Sequence, residues 1–280
     1  MKSITFLGGV QVLGQLAINS NTYHGFSLEE AVKGAREAGF RNIELAAVRD
    51  HTAHVLPEMS SDEILRIRKL LDESGMKCVG ISSHSNVMTE EGVANLVKGI
   101  DLAMSFECRY VTTATGDSHG DKDVIDDLVV LIENLLPAIR KCEENGKLLV
   151  IETHGNNFAT GVEVQRLVRA LDDRVKVNYD TGNVIFYAGV LPYEDLKASI
   201  DDVRFIHLKD KAGELAEWNF PAIGDGEIDF DKVFTILRES NYKGPISVEI
   251  EFTPGGPKNL AEVNESVRKS YQFLSSLLGS

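Results

Sequence analysis

The chain switches its hydrophobic period again and again. Short runs rich in Val, Ile and Thr alternate with longer stretches whose apolar residues recur at helical spacing. The β-rich runs are NIELAAV, KCVGISS, YVTTAT, KLLVIETH, KVNYD, RFIHLKD and PISVEIEF. An eighth is either SITFLG or QLAINSNTY, and the second of these is followed at once by a helix start. Ser27 before LEEAVKGAREAG has Glu30 three residues on, which is a capping box, and Gly39 closes that helix. Ser61 opens DEILRIRKLLDESG in a similar way, with Gly75 as the stop. Further helices are read in EGVANLVKGIDLAMSF, DVIDDLVVLIENLLPAIRKCEENG, VEVQRLVRALD, PYEDLKASID, DFDKVFTILRESN and NLAEVNESVRKSYQFLSSLL.

Strands separated by helix-length segments pair in parallel, because a parallel pair needs a long crossover. The fold class is therefore α/β. Open doubly wound sheets share the alternation, but three features favour a closed (β/α)8 TIM barrel. The length of 280 residues suits one. No GxGxxG turn follows an early strand. Polar residues end the strands across the whole chain, which is where barrel active sites lie. No linker or low-complexity stretch interrupts the pattern, so a single domain over residues 1–280 is expected.

A hydrophobic fraction of 43% supplies a sizeable core. A net charge of −14, with no basic run, argues against nucleic-acid or anionic-membrane partners. No stretch of roughly 18 apolar residues is present to cross a bilayer. The opening MKSITFLGGVQVLGQLA is broken by Gln11 and Gln15 and lacks a clear cleavage site, so a cytoplasmic location is expected. Cys78, Cys108 and Cys142 match no metal or disulfide spacing and read as buried thiols.

Four consecutive strands end in a residue able to bind a metal: Glu152 in LLVIETH, Asp180 in KVNYD, His207 in RFIHLKD and Glu249 in PISVEIE. Side chains alternate across a strand. Glu152 and His154 therefore share one face, as do His207 and Lys209, and Glu249 and Glu251. Ile206, Leu208, Val248 and Ile250 take the opposite, helix-facing side. A lone buried carboxylate is costly, and a divalent cation resolves that cost for all four residues together. Three carboxylates and one imidazole favour Mn2+, with Mg2+, Co2+ or Zn2+ as alternatives. For any one of these residues alone, a strand-end salt bridge is the better reading.

With LLVIETHG, VNYDTGN, FIHLKD, IGDGEIDF and PISVEIE in view, the chain resembles the xylose isomerase-like TIM barrels from about Leu16 to the last helix. That family includes sugar and sugar-phosphate isomerases and epimerases and inosose dehydratase-like relatives. The resemblance implies one metal held by Glu152, Asp180, His207 and Glu249. It also implies that Glu152 and Glu249 handle protons beside a substrate carbonyl, through a metal-stabilised enediolate, on a small carbohydrate. Keto-hexose 3-epimerases of the family carry a Glu, a His and an Arg at the positions of Phe158, Asn183 and Gly213, so this chain departs from them. HLKD is instead similar to inosose dehydratases and sugar-phosphate 3-epimerases. The expected activity is a sugar isomerase or epimerase. The alternatives are a dehydratase or decarboxylase on the same site, an endonuclease IV-like enzyme (disfavoured by charge and by Asn183), or a non-catalytic sugar-binding protein. A homo-oligomer is allowed.

His154, Asn183, Lys209, His84 and Glu251 are candidates for substrate contacts. Each has a structural alternative: packing on Glu152 for His154, a helix cap for Asn183, and a pair with Glu251 or Asp210 for Lys209. His84 can equally be a loop histidine. Glu44 reads as a buried hydrogen-bonded residue or a distal substrate contact. Trp218 is a lid or a loop anchor, and Gly224 and Gly226 form a turn or a phosphate cradle. His51, His54 and His119 are assigned nothing.

Overall fold

A computed structural model of the chain describes residues 15–49, 51–116 and 128–279. Eight parallel strands close into a barrel in chain order: β1 (Leu16–Asn19), β2 (Asn42–Ala46), β3 (Lys77–Ser82), β4 (Tyr110–Thr113), β5 (Leu148–Glu152), β6 (Lys176–Asp180), β7 (Val203–Leu208) and β8 (Ile246–Val248). β1 closes the ring against β8, with Ile18 opposite Val248. The first strand is thus the one in QLAINSNTY. SITFLG, His119 and the start of the helix expected from Asp123 lie outside the described residues.

The helices are α1 (Leu28–Ala38), α2 (Ser61–Ser74), α3 (Glu90–Ser105), α4 (Leu128–Glu144), α5 (Gly161–Ala170), α6 (Asn183–Ala188), α7 (Pro192–Ser199), α8 (Phe230–Glu239) and α9 (Leu260–Gly279). α1 starts on the Ser27–Glu30 capping box. The cap of α2 is Ser60 rather than Ser61, because Glu63, three residues after Ser60, closes the reciprocal pair of hydrogen bonds. Gly75 ends α2 in the left-handed region at φ 62°, which an L-residue with a Cβ rarely adopts. β8 stops at Val248, short of the expected Phe252, because Phe252 pairs instead with Phe220 of the long β7–α8 connection.

Strand parity sorts the side chains. Ile43, Leu45, Ile151, Val177, Ile206 and Val248 join the helices in one buried apolar layer. The intervening residues point into the barrel. Phe205 fills its interior below His207, with ring centroids 5.7 Å apart, and packs on Tyr110 at 5.4 Å. Gly80 leaves room for that ring, since a Cβ there would sit 3.1 Å from Phe205 Cε2. The apolar plug forms a floor, and the polar residues collect above it. Cys78, Cys108 and Cys142 are buried free thiols, as their spacing predicted. Among the described residues no helix is long and apolar enough to cross a membrane.

Candidate metal centre and substrate pocket

Glu152 and Asp180 are the last residues of β5 and β6, His207 is next to last on β7, and Glu249 follows β8 directly. Asp180 lies opposite His207 in the strand register. One ligand atom from each of the four residues lies within 4.8 Å of the others, and all four residues are buried. Two threonines carry the strand pairing past its regular end. Thr153 Oγ1 accepts from the Asp180 N–H at 2.8 Å. Thr181 Oγ1 donates to the Lys209 carbonyl at 2.7 Å and accepts from its N–H at 3.0 Å. The backbone beneath the cluster is therefore fixed by side chains that are themselves buried.

Each residue of the cluster divides its polar atoms between support and centre. Asp180 Oδ1 accepts from the N–H groups of Gly182 and Asn183, both at 2.8 Å. Its Oδ2 is buried with no hydrogen bond of good geometry, 3.2 Å from Lys209 Nζ. His207 Nε2 lies 2.9 and 3.2 Å from the two oxygens of Glu44. Its Nδ1 faces Glu152 Oε1 at 3.2 Å and Glu249 Oε2 at 3.8 Å, again without a well-formed hydrogen bond. Glu152 Oε1 accepts from Asn183 Nδ2 at 3.0 Å, and its Oε2 is 2.8 Å from His84 Nε2. Glu249 Oε1 accepts from Asn19 and Asn21 amides at 3.1 and 3.0 Å. Lys209 Nζ lies 2.9 Å from both Glu249 Oε2 and Glu251 Oε2.

The charges do not balance. Glu44, Glu152, Asp180 and Glu249 are all buried here, with Lys209 and His207 as the fully buried cationic partners. Burial opposes the charge on Glu249, but Lys209 and His207 outweigh it and hold its pKa at about 2. Burial likewise opposes ionisation of Glu152, and His207 and His84 overcome it, leaving the pKa well below the usual carboxylate range. Burial disfavours a charged His207, yet Glu44 and Glu152 keep its pKa well above the usual imidazole value. Asp180 goes the other way. Burial pushes it up to about 7 against the pull of Lys209, with Glu152 and Glu249 adding to the rise. The excess of carboxylate over cation surfaces at Asp180, the residue whose Oδ2 points into the cluster. A divalent cation among these oxygens and the imidazole nitrogen would supply the missing charge, and hard oxygen and imidazole donors suit one. The residues present fit the group.

A cavity of about 580 Å³ opens above the cluster. Glu152, His154, Lys209, Glu249, Glu251 and His84 line it, together with Trp218, Arg49 and His51. Trp218 packs edge-on against Phe220 at 5.2 Å and Phe186 at 5.7 Å, so it is both an anchored residue and a wall of the cavity. His154 Nε2 is 3.4 Å from the Tyr187 hydroxyl, and its ring lies 5.8 Å from that of His84. The structure thus gathers every residue anticipated for the site around one cavity or the cluster below it.

Several local readings change. Asn183 does not cap α6: Gly182 holds that position, and the Asn183 amide goes to Glu152. Lys209 pairs with Glu251 and not with Asp210. Asp210 accepts instead from the N–H groups of Lys211, Gly224, Gly226 and Ile228 at 2.8–3.2 Å. Those glycine N–H groups are therefore spent on Asp210 and form no phosphate cradle. Asn19 and Asn21 were not anticipated, because the first strand was ambiguous in the sequence. For Asn19 the signal is the alternation in LAIN, which puts it on the inward face, whereas Asn21 lies past the strand in a 3-10 turn. His51, to which no role was assigned, lines the cavity and stacks on His24 at 4.4 Å.

Comparison with known proteins bears on the same fold. An inosose dehydratase of Bacillus cereus (strain AH820) is 29% identical over 258 residues, covering 85% of this chain and 78% of the relative. The D-allulose 3-epimerase structure from Methylomonas sp. superposes with a TM-score of 0.73 at 17% identity, covering 94% of this chain and 97% of the other. A xylose isomerase-like TIM barrel protein from Mycobacterium smegmatis, solved in complex with magnesium, gives 0.72 at 19% identity, covering 94% and 97%. The family model described as xylose isomerase-like TIM barrel matches residues 32–277. With eight strands closed in chain order and polar residues gathered at their C-terminal ends, the chain belongs to the xylose isomerase-like TIM barrel family.

Proposed function

We propose that this protein is a divalent-metal-dependent enzyme that removes a proton from the carbon beside the carbonyl of a small polyhydroxy ketone. The observation that carries this reading is the buried cluster of Glu152, Asp180, His207 and Glu249 under a polar cavity. When bound, a divalent cation supplies Lewis-acid polarisation of the substrate carbonyl, with Mn2+ the favoured ion. Glu152, Asp180 and Glu249 would hold it through carboxylate oxygens and His207 through Nδ1. Glu152 and Glu249 are the candidate bases. Each is already oriented by side-chain amides, so neither has to reorganise before it takes a proton. Lys209, His84, His154 and Glu251 line the cavity and are the candidates for holding substrate oxygens, whereas Asn183 lies outside that lining with its amide on Glu152. The described lysine and arginine of the cavity wall, Lys209 and Arg49, are both paired with carboxylates. That pairing favours an uncharged substrate over a phosphorylated one.

Two outcomes share this first step. Loss of water is favoured by the presence of imidazoles beside Glu152, with His84 Nε2 2.8 Å from it, which can deliver a proton to a departing hydroxyl. The inosose dehydratase relatives support the same outcome. Epimerisation is the second reading. It draws on the pair Glu152 and Glu249, placed on β5 and after β8, from which one can remove and the other return a proton.

The test is to strip the protein with a chelator, reload it with Mn2+, and incubate it with inososes, free ketoses and ketose phosphates in D2O. Proton NMR should show a dehydrated product from an inosose, with deuterium beside the carbonyl. A new epimer carrying deuterium would select the second reading. No change in any member, with Mn2+ shown to be bound, would defeat the proton-transfer proposal.

A further inference from the structure

Glu44 is wholly buried at the centre of β2 and does not line the cavity, so it is not placed to touch substrate. Its neighbours Ile43 and Leu45 belong to the apolar layer, and the carboxylate projects into the barrel. There it meets groups from two other strands. Thr112 Oγ1 of β4 donates to Glu44 Oε1 at 2.8 Å, and His207 Nε2 of β7 lies 2.9 Å from Oε2. The other imidazole nitrogen, Nδ1, faces Glu152 and Glu249. An ionised carboxylate only accepts, and a neutral imidazole has one donor and one acceptor. With a cation on the Nδ1 side, His207 would be neutral, its remaining proton kept on Nε2 against Glu44 and its lone pair on the side where the carboxylates converge.

We propose that Glu44 is a positioning residue for the metal centre: it holds the His207 ring and its tautomer so that Nδ1 is presented to the cation. The inference rests on the metal-dependent reading given above. Carboxylate contacts to the second nitrogen of a metal-binding histidine raise its basicity and fix its orientation, and their loss costs about 10–100-fold in metal affinity. Thr112 extends the arrangement by fixing Glu44 itself. The line Thr112–Glu44–His207 thus crosses the barrel interior from β4 through β2 to β7.

The experiment is a calorimetric Mn2+ titration of the full chain, wild type and Glu44→Gln, with circular dichroism to follow the fold. It is joined by 15N-histidine NMR of the Mg2+-loaded proteins. Glu44→Gln is expected to fold, to bind Mn2+ about 10–100-fold more weakly, and to move the ring N–H resonance of His207 Nε2. A merely structural role would lower the melting temperature and leave the Mn2+ affinity where it was, which would overturn the proposal. If Glu44→Gln does not fold, Thr112→Val decides: weaker Mn2+ binding supports the proposal, and unchanged binding overturns it. A wild-type protein that binds neither ion overturns the metal reading and this inference together, whereas a binding wild type matched by its variants overturns this inference alone.

Discussion

Asp180 uses its two oxygens for different tasks. One caps the start of α6 through two N–H groups, and the other is buried and directed at the cluster. Glu249 and Glu251 show the same economy two residues apart. Glu249 lies within the four-residue cluster, while Glu251 is reached by Lys209 and Asn21 at its edge. Glu249→Gln should therefore abolish activity and weaken Mn2+ binding by an order of magnitude or more, while Glu251→Gln should retain the metal. Calorimetry on the two variants checks this, and the reverse pattern would place the fourth ligand two residues later. A second prediction concerns His54, whose nitrogens lie 3.0 Å from Ser20 Oγ and the Phe26 carbonyl. Burial lowers its pKa below the usual 6.5, against the pull of the Phe26 carbonyl. The unfolded chain then takes up a proton at a pH where the folded chain does not, so stability present above 6.5 is lost as pH falls from 6.5 towards the lower folded value. Replacing His54 by Gln should flatten this part of the urea-midpoint profile across pH 6.5.

At the scale of elements, local signals placed most strands and helices. β6 matches KVNYD end to end, because the apolar Val177 and Tyr179 alternate with polar residues at the two-residue period of a strand. The failures have physical causes. α6 is six residues long, too short for a helical period to show. The end of β8 depends on Phe220, far away in sequence, which takes the hydrogen bonds of Phe252 at 2.8 and 2.9 Å. Of the site, the four clustered residues were legible because strand parity aligns them, and the choice of Glu249 over Glu251 rested on family resemblance. Glu44 was legible as a buried hydrogen-bonded residue, but its partners Thr112 and His207, and the contacts of Asn19 and Asn21 to Glu249, were not, because barrel closure brings them together. The connection that carries Trp218 is held by Asp210, whose carboxylate satisfies N–H groups on both sides of it. Asp210→Ala should cost roughly 2–4 kcal/mol in urea unfolding, since it strips buried donors of their acceptor. It should also raise KM, because Trp218 forms part of the cavity wall.

Across the whole molecule, ring closure joins residues that no local pattern relates. Asn19 reaches Glu249 across 230 positions, and Glu44 reaches His207 across 163. The barrel therefore gathers its carboxylates only as it completes, and a bound cation should stabilise the closed form as a unit. With Mn2+ at about a hundred times its Kd, linkage adds roughly 2.7 kcal/mol, which raises the melting temperature by roughly 5 °C for a chain of this size. The same addition should leave Asp180→Asn unmoved. The most direct measurement is the stoichiometry of Mn2+ bound to chelator-stripped protein, wild type beside Asp180→Asn. The wild type should bind one ion per chain, and the variant none at the same concentration. A wild type that binds no ion, or a variant that binds as tightly as wild type, would rule out a metal centre built on Asp180.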